Sequence, residues 1–166
     1  MNGRNALLAA SVVLLFALLV VGAAVTAGNF GEECGVNMFE QDWPLCNGHL
    51  LPPLVLGPVV EYSHRILASL SALFLVLTSV SFWRAERPKP SERNLVYAST
   101  GLIFVEIGVG AAVVNTSLSA AVVTLHQGLA ILIFGLAVAA AARAMQKRAD
   151  GTTKDAGSRP APMVAT

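Results

Sequence analysis

The sequence predicts an all-α membrane protein: a bundle of four transmembrane helices, N and C termini cytoplasmic, with a disulfide-bearing first extracellular loop. Three observations predict it. Of 166 residues, 55% are hydrophobic and 13% charged, with a mean hydropathy of +0.65. A soluble domain carries nearly twice that charge. Four apolar runs, Ala6–Ala27, Val59–Trp83, Leu95–Asn115 and Ala120–Ala142, are each long enough to cross a bilayer, which takes about 20 residues. The basic residues alternate between connections. Arg4 precedes the first run, Arg84, Arg87, Lys89 and Arg93 separate the second and third, and Arg143, Lys147 and Arg148 follow the fourth. The connection 28–58 has no Lys or Arg but holds Glu32, Glu33, Glu40 and Asp42. The positive-inside rule then puts both termini in the cytoplasm and this first loop outside the cell membrane.

These runs define one domain, 1–149, followed by a Gly-, Thr-, Pro- and Ala-rich tail, 150–166, expected to be disordered. The surrounding partner is the lipid bilayer, and nothing points to nucleic acid. The first span has no ionisable group after Arg4, so its expected work is packing. In outline it resembles a signal peptide, but the apolar run is long for one. Gly28-Asn29 ends it.

The outer loop carries Cys34 and Cys46 on the oxidising side, where a disulfide is the expected state. Closing so short a loop is worth roughly 3 kcal/mol in the chain-entropy model. The pair reads either as a structural staple or as a redox-active pair serving an outer-face partner. Phe39 and Trp43 suit the membrane surface. Asn47-Gly48 is a turn dipeptide, His49 belongs to the loop and reads either as lining the mouth of a site or as simply solvated, and Pro52-Pro53 and Pro58 stiffen the return.

The second span opens with Pro58, where a missing N–H does no harm. Glu61 is expected in its first turn, against the positive end of the helix dipole. His64 follows three residues later on the same face, with Arg65 beside it. The short hydrophilic connection 84–93 makes spans two and three antiparallel neighbours. Span three carries Glu106 near mid-membrane, with Gly101, Gly108 and Gly110. Residues 115–119 make a tight turn, and span four carries His126 and Gln127.

His64 and His126 are the central pair. Each lies about six residues inside the outer end of an inward-running span, so both imidazoles sit about 7–9 Å deep at 1.5 Å per residue. Intramembrane ionisable groups are rare and functional by default. Two imidazoles at one level suit the two faces of a haem, with the iron as the bound metal. Zinc fits less well, because it takes three or four protein ligands. Glu61 is placed to orient His64 or to move protons. Arg65 suits a carboxylate partner, either a haem propionate or a neighbouring acid. Glu106 reads as a proton relay or as an interhelical hydrogen bond.

The stretch C-G-V-N-M-F-E-Q-D-W-P-L-C-N-G, a proline-rich return, and then E-Y-S-H-R-I-L-A over 34–68 resembles the haem A synthase family. There, D-W-P-L-C-N-G followed by a helix opening E-x-x-H-R marks the first outer loop and second helix. The segment T-L-H-Q-G-L-A, Thr124–Ala130, resembles the histidine-bearing fourth helix. Span three matches loosely, and Glu106 stands where the family more often shows a neutral polar residue such as Gln. The common family form has two homologous four-helix halves, and this chain resembles the catalytic half alone, as in half-length archaeal forms.

The resemblance implies oxidation of the C8 methyl of haem O to a formyl group, giving haem A, with oxygen from water. It implies His64 and His126 as axial ligands, Glu61 as the acid/base or cation-stabilising group, and Arg65 as a propionate or structural partner. The cofactor is haem b, substrate haem O, or both. The expected partners are haem O, identical subunits in a homo-oligomer, a haem O synthase and a membrane electron acceptor. Cys34 and Cys46 match the family's loop cysteines, although their spacing is wider than in familiar bacterial members. The alternative is a bis-histidine b-type electron carrier that uses the same histidines without modifying haem. A disulfide-relay enzyme would want a second cysteine pair. A structural tetraspan protein would have no use for paired histidines.

Overall fold

The computed structural model describes residues 3–35, 45–85 and 90–157. Four helices account for most of them: α1 (Gly3–Gly28), α2 (Leu56–Trp83), α3 (Pro90–Asn115) and α4 (Ala120–Gly157). All four are long and apolar enough to cross a membrane, α4 over Ala120–Gln146. Phe39 and Trp43 lie outside the described residues, as does much of the 150–166 tail. The helix of α4 itself runs on to Gly157, beyond the end of the apolar run.

Two helix starts differ from the sequence expectation. α2 begins at Leu56, because the Val59 N–H already bonds the Val55 carbonyl. Glu61 therefore lies beyond the first turn, and its contribution is not to the helix dipole. α3 begins at Pro90, where proline's missing N–H is harmless, so the connection from α2 is shorter than the polar composition suggests.

The chain folds as two helix hairpins, α1 with α2 and α3 with α4, closed by α1 against α4 and α2 against α3. The hairpins echo each other at the end that carries the disulfide loop. After α1, Asn29 adopts φ 55° and the Phe30 N–H reaches back to the Val25 carbonyl at 2.9 Å. After α3, Ser117 adopts φ 49° and the Leu118 N–H reaches the Val113 carbonyl at 3.0 Å. Both are Schellman closures of a helix C-terminus. Leu118 itself sits at φ 58°, an uncommon conformation for a residue other than glycine.

Away from the loop end the bundle is solid. One apolar layer joins Leu8, Phe82, Val96, Ala140 and Ala144, and a second joins Leu15, Leu75, Ile103, Ile133 and Ala137. Small residues on α4 let the helices approach closely. Between lipid-facing helices the buried hydroxyls act as cross-links: Ser11 with Thr78 at 3.1 Å, and Ser79 with Thr100 at 2.8 Å. Arg4 folds over the Phe82 ring, 4.8 Å from its centroid. Above the second layer the packing stops and a cavity opens.

Candidate functional site

The loop that roofs the cavity is held by its own hairpin. Asn47 and Gly48 have φ of 49° and 77°, the two positive values a type I′ turn requires. Cys46 and His49 exchange backbone hydrogen bonds across it, each 2.9 Å. His49 remains exposed and does not line the cavity. Cys34 and Cys46 form the expected disulfide, and both are fully buried. That burial favours the staple over exchange with an outside partner.

Glu61 and Arg65 fasten this loop to α2. One Glu61 oxygen accepts the Cys34 N–H at 2.8 Å. The other accepts from Arg65 at 2.5 Å, one helical turn along. Arg65 also donates to the Leu45 carbonyl at 2.7 Å, just before the second cysteine. The pair therefore binds both sides of the disulfide, which the E-x-x-H-R spacing alone does not reveal. Glu61 is 4% exposed and lines the cavity, but it pairs with Arg65 and the loop and not with His64.

The cavity has a volume of about 740 Å³ and a largely apolar wall drawn from all four helices. That lies within the range of small-molecule and cofactor sites, about 300–1,000 Å³. His64 from α2 and His126 from α4 face each other across it. Their ring centroids are 6.4 Å apart and the ring planes stand at 82°. A metal midway between two imidazole nitrogens, at about 2 Å from each, would separate the centroids by about 6 Å. The equal depth read from helix rise is thus realised as a facing pair.

Each ring rests on a glycine of the preceding helix. A Cβ on Gly22 of α1 would lie 3.0 Å from His64 Cε1, and a Cβ on Gly110 of α3 would lie 3.1 Å from His126 Cε1. From sequence alone, Gly110 is named only as one of three glycines in span three, and Gly22 is passed over. A glycine at the same place in two hairpin-forming helices is the signal that could have found them.

The two imidazoles differ in what lies behind them. His126 Nδ1 is 3.0 Å from Glu106 Oε1, at hydrogen-bond distance, although the N–H direction misses the oxygen. His64 Nδ1 has no hydrogen-bond partner, and the backbone of Leu18 lies beside its ring. Glu106 on α3 thus faces the second histidine on α4, at ion-pair distance and without a completed hydrogen bond. Beside it, Gln127 donates to Thr26 Oγ1 at 3.0 Å and ties α4 to α1 above the rings. A planar group with a central metal fits this donor set: two opposed imidazoles, each with a buried Nδ1 that makes no hydrogen bond, and glycine seats that bring the helices close. Among the described residues no group of three or more His, Cys, Asp or Glu could hold a bare metal ion.

Comparisons with known proteins point the same way. The model of the COX15-CtaA family, described as cytochrome oxidase assembly protein, matches residues 58–166. The haem A synthase of Symbiobacterium thermophilum is 36% identical over 138 residues, covering 81% of this chain and 42% of that protein. That of Shouchella clausii is 34% identical over 125 residues, covering 73% and 39%. That of Bacillus licheniformis is 30% identical over 124 residues, covering 75% and 39%. The chain spans about 40% of the length of the curated relatives it matches.

Proposed function

Because the chain belongs to the COX15-CtaA family of cytochrome oxidase assembly proteins, we propose that it is a haem A synthase, converting haem O to haem A. The observation that carries this reading is the facing of His64 and His126 across an apolar cavity at a separation suited to one iron.

In this reading the two imidazoles hold the substrate haem through its iron, with haem b as the other haem the site would accept. Gly22 and Gly110 let the rings stand upright in a narrow bundle. The apolar wall takes the macrocycle and its isoprenoid tail and excludes bulk water. The polar rim, with Arg65 and the disulfide loop, lies where the propionates would face, on the outer side of the cell membrane.

The chemistry replaces a methyl by a formyl group through two hydroxylations. Each takes oxygen from water and releases two electrons and two protons, and the second product, a gem-diol, loses water. The electrons leave to a membrane-bound acceptor, so the protein must accept protons near the methyl. Glu61 is the proposed acid/base group, being a cavity-lining carboxylate one turn from His64. Homo-oligomerisation and supply of haem O by a haem O synthase belong to the same reading.

A bis-histidine b-type electron carrier is the second reading. It is favoured by one observation: both Glu61 oxygens already have structural partners. Co-expression with a haem O synthase, followed by chromatography of extracted haem from wild type and Glu61→Ala, separates the two. Haem A from the wild type, with haem O or a hydroxylated form trapped in the variant, supports the synthase and the role of Glu61. Haem b alone in both overturns it in favour of the carrier.

A further inference from the structure

We infer that Glu106 is a positioning residue that makes His126 the retained axial ligand and leaves His64 the exchangeable one. The inference rests on the proposal that these two histidines hold a haem, and it assigns them unequal work within it.

The internal two-fold of the bundle is what exposes the asymmetry. The register that pairs Gly22 with Gly110 also pairs Val25 with Val113, Asn29 with Ser117 and Phe30 with Leu118. The glycine seats and the helix closures are therefore equivalent in the two hairpins. Four residues before each glycine, one turn down the same face, stand Leu18 and Glu106. These are the residues beside the two rings: Leu18 beside His64, and Glu106 at 3.0 Å from His126. One hairpin offers the ring a neutral backbone group at this place and the other a carboxylate.

That carboxylate is 6% exposed, and its second oxygen has no partner. An unsatisfied carboxylate among apolar helices is costly, and such groups persist where they have work to do. A nearby donor gives it a use, and the Nδ1 of His126 stands 3.0 Å from its first oxygen. The distance already allows the bond, and what is missing is the N–H direction.

Carboxylate behind imidazole is a common arrangement at metal sites. Accepting the Nδ1–H fixes the tautomer in which Nε2 carries the free lone pair, holds the ring plane, and makes Nε2 a stronger donor. A stronger donor favours the ferric state and lowers the reduction potential. The His64 ring has only backbone and a glycine seat behind it, so its bond to the iron is the weaker. A substrate haem has to enter and its product to leave, which needs one ligand that lets go first. The structure assigns that role to His64.

The test uses the full-length protein purified with its bound haem. Wild type, Glu106→Gln, Glu106→Asp, His64→Ala and His126→Ala are compared by absorption and EPR spectra, midpoint potential, and haem transfer to an excess of apomyoglobin. The inference expects His64→Ala to keep its haem in a high-spin, five-coordinate form and His126→Ala to lose it. It expects Glu106→Gln to stay low-spin, with a raised potential and transfer faster by about 10- to 100-fold, the usual effect of losing such a partner. Glu106→Asp, a carboxylate with shorter reach, should fall between, and it serves as the readout if the glutamine variant does not fold. Unchanged potential and transfer rate in low-spin Glu106→Gln, or equal haem loss from both histidine variants, overturns the inference and leaves ligation standing. A wild-type spectrum insensitive to both histidine substitutions overturns ligation and this inference together.

Discussion

His64 stands directly against Gly22: a Cβ there would lie 3.0 Å from the imidazole Cε1, tight enough that the ring would have to give. The same relation holds between Gly110 and His126, at 3.1 Å. Replacing either glycine by alanine favours the helix by about 1 kcal/mol and pushes the ring by a few tenths of an ångström. Gly22→Ala and Gly110→Ala are therefore expected to fold at least as well as wild type yet bind haem more weakly. Haem titration of the purified variants, with circular dichroism as the folding control, checks this. Wild-type affinity in both would show that the seats do not matter.

Arg65 and Glu61 make a largely buried pair that also binds the loop on both sides of the disulfide. Removing one member strands the other, at a cost on the order of 3–5 kcal/mol. Arg65→Ala and Glu61→Ala are expected to lower thermal stability by similar amounts. If Glu61 also moves protons, haem O oxidation should fall much further in Glu61→Ala than in Arg65→Ala. Equal losses of activity would reduce Glu61 to its structural part.

The disulfide closes a short loop and is buried under the roof. Cys34→Ser/Cys46→Ser should lose roughly 3 kcal/mol of stability by loop entropy. The Glu61 and Arg65 anchors would loosen with it, so haem should dissociate faster. Fluorescence-detected thermal melts and haem transfer rates measure the two effects. If haem A formation instead stopped in a variant that is stable and fully haem-loaded, the cysteines would have a redox role that their burial argues against.

The basic clusters predict that both termini are cytoplasmic and the disulfide loop is outside. A single cysteine placed at position 151 of a cysteine-free variant should resist a membrane-impermeant maleimide in intact cells, and one at Asn47 should react. The reverse labelling pattern would invert the topology and put the haem site near the cytoplasmic face.

The number of spans and the shared level of the two histidines along the bundle were legible in the sequence. These are one-dimensional quantities: hydropathy finds the segment, and a fixed rise of 1.5 Å per residue converts position into depth. The disulfide was legible too, because compartment and proximity in sequence leave Cys34 little choice of partner. What only the tertiary structure decided is azimuth, that is, which face of each helix meets which neighbour. The packing of small residues and the two helix closures set that rotation, and no count along one chain segment contains it. It turned Glu106 toward His126, put Gly22 and Gly110 beneath the rings, and drew Glu61 away from His64 to Arg65 and the Cys34 N–H. Sequence thus determined which groups share a level along the bundle, and packing determined which of them touch.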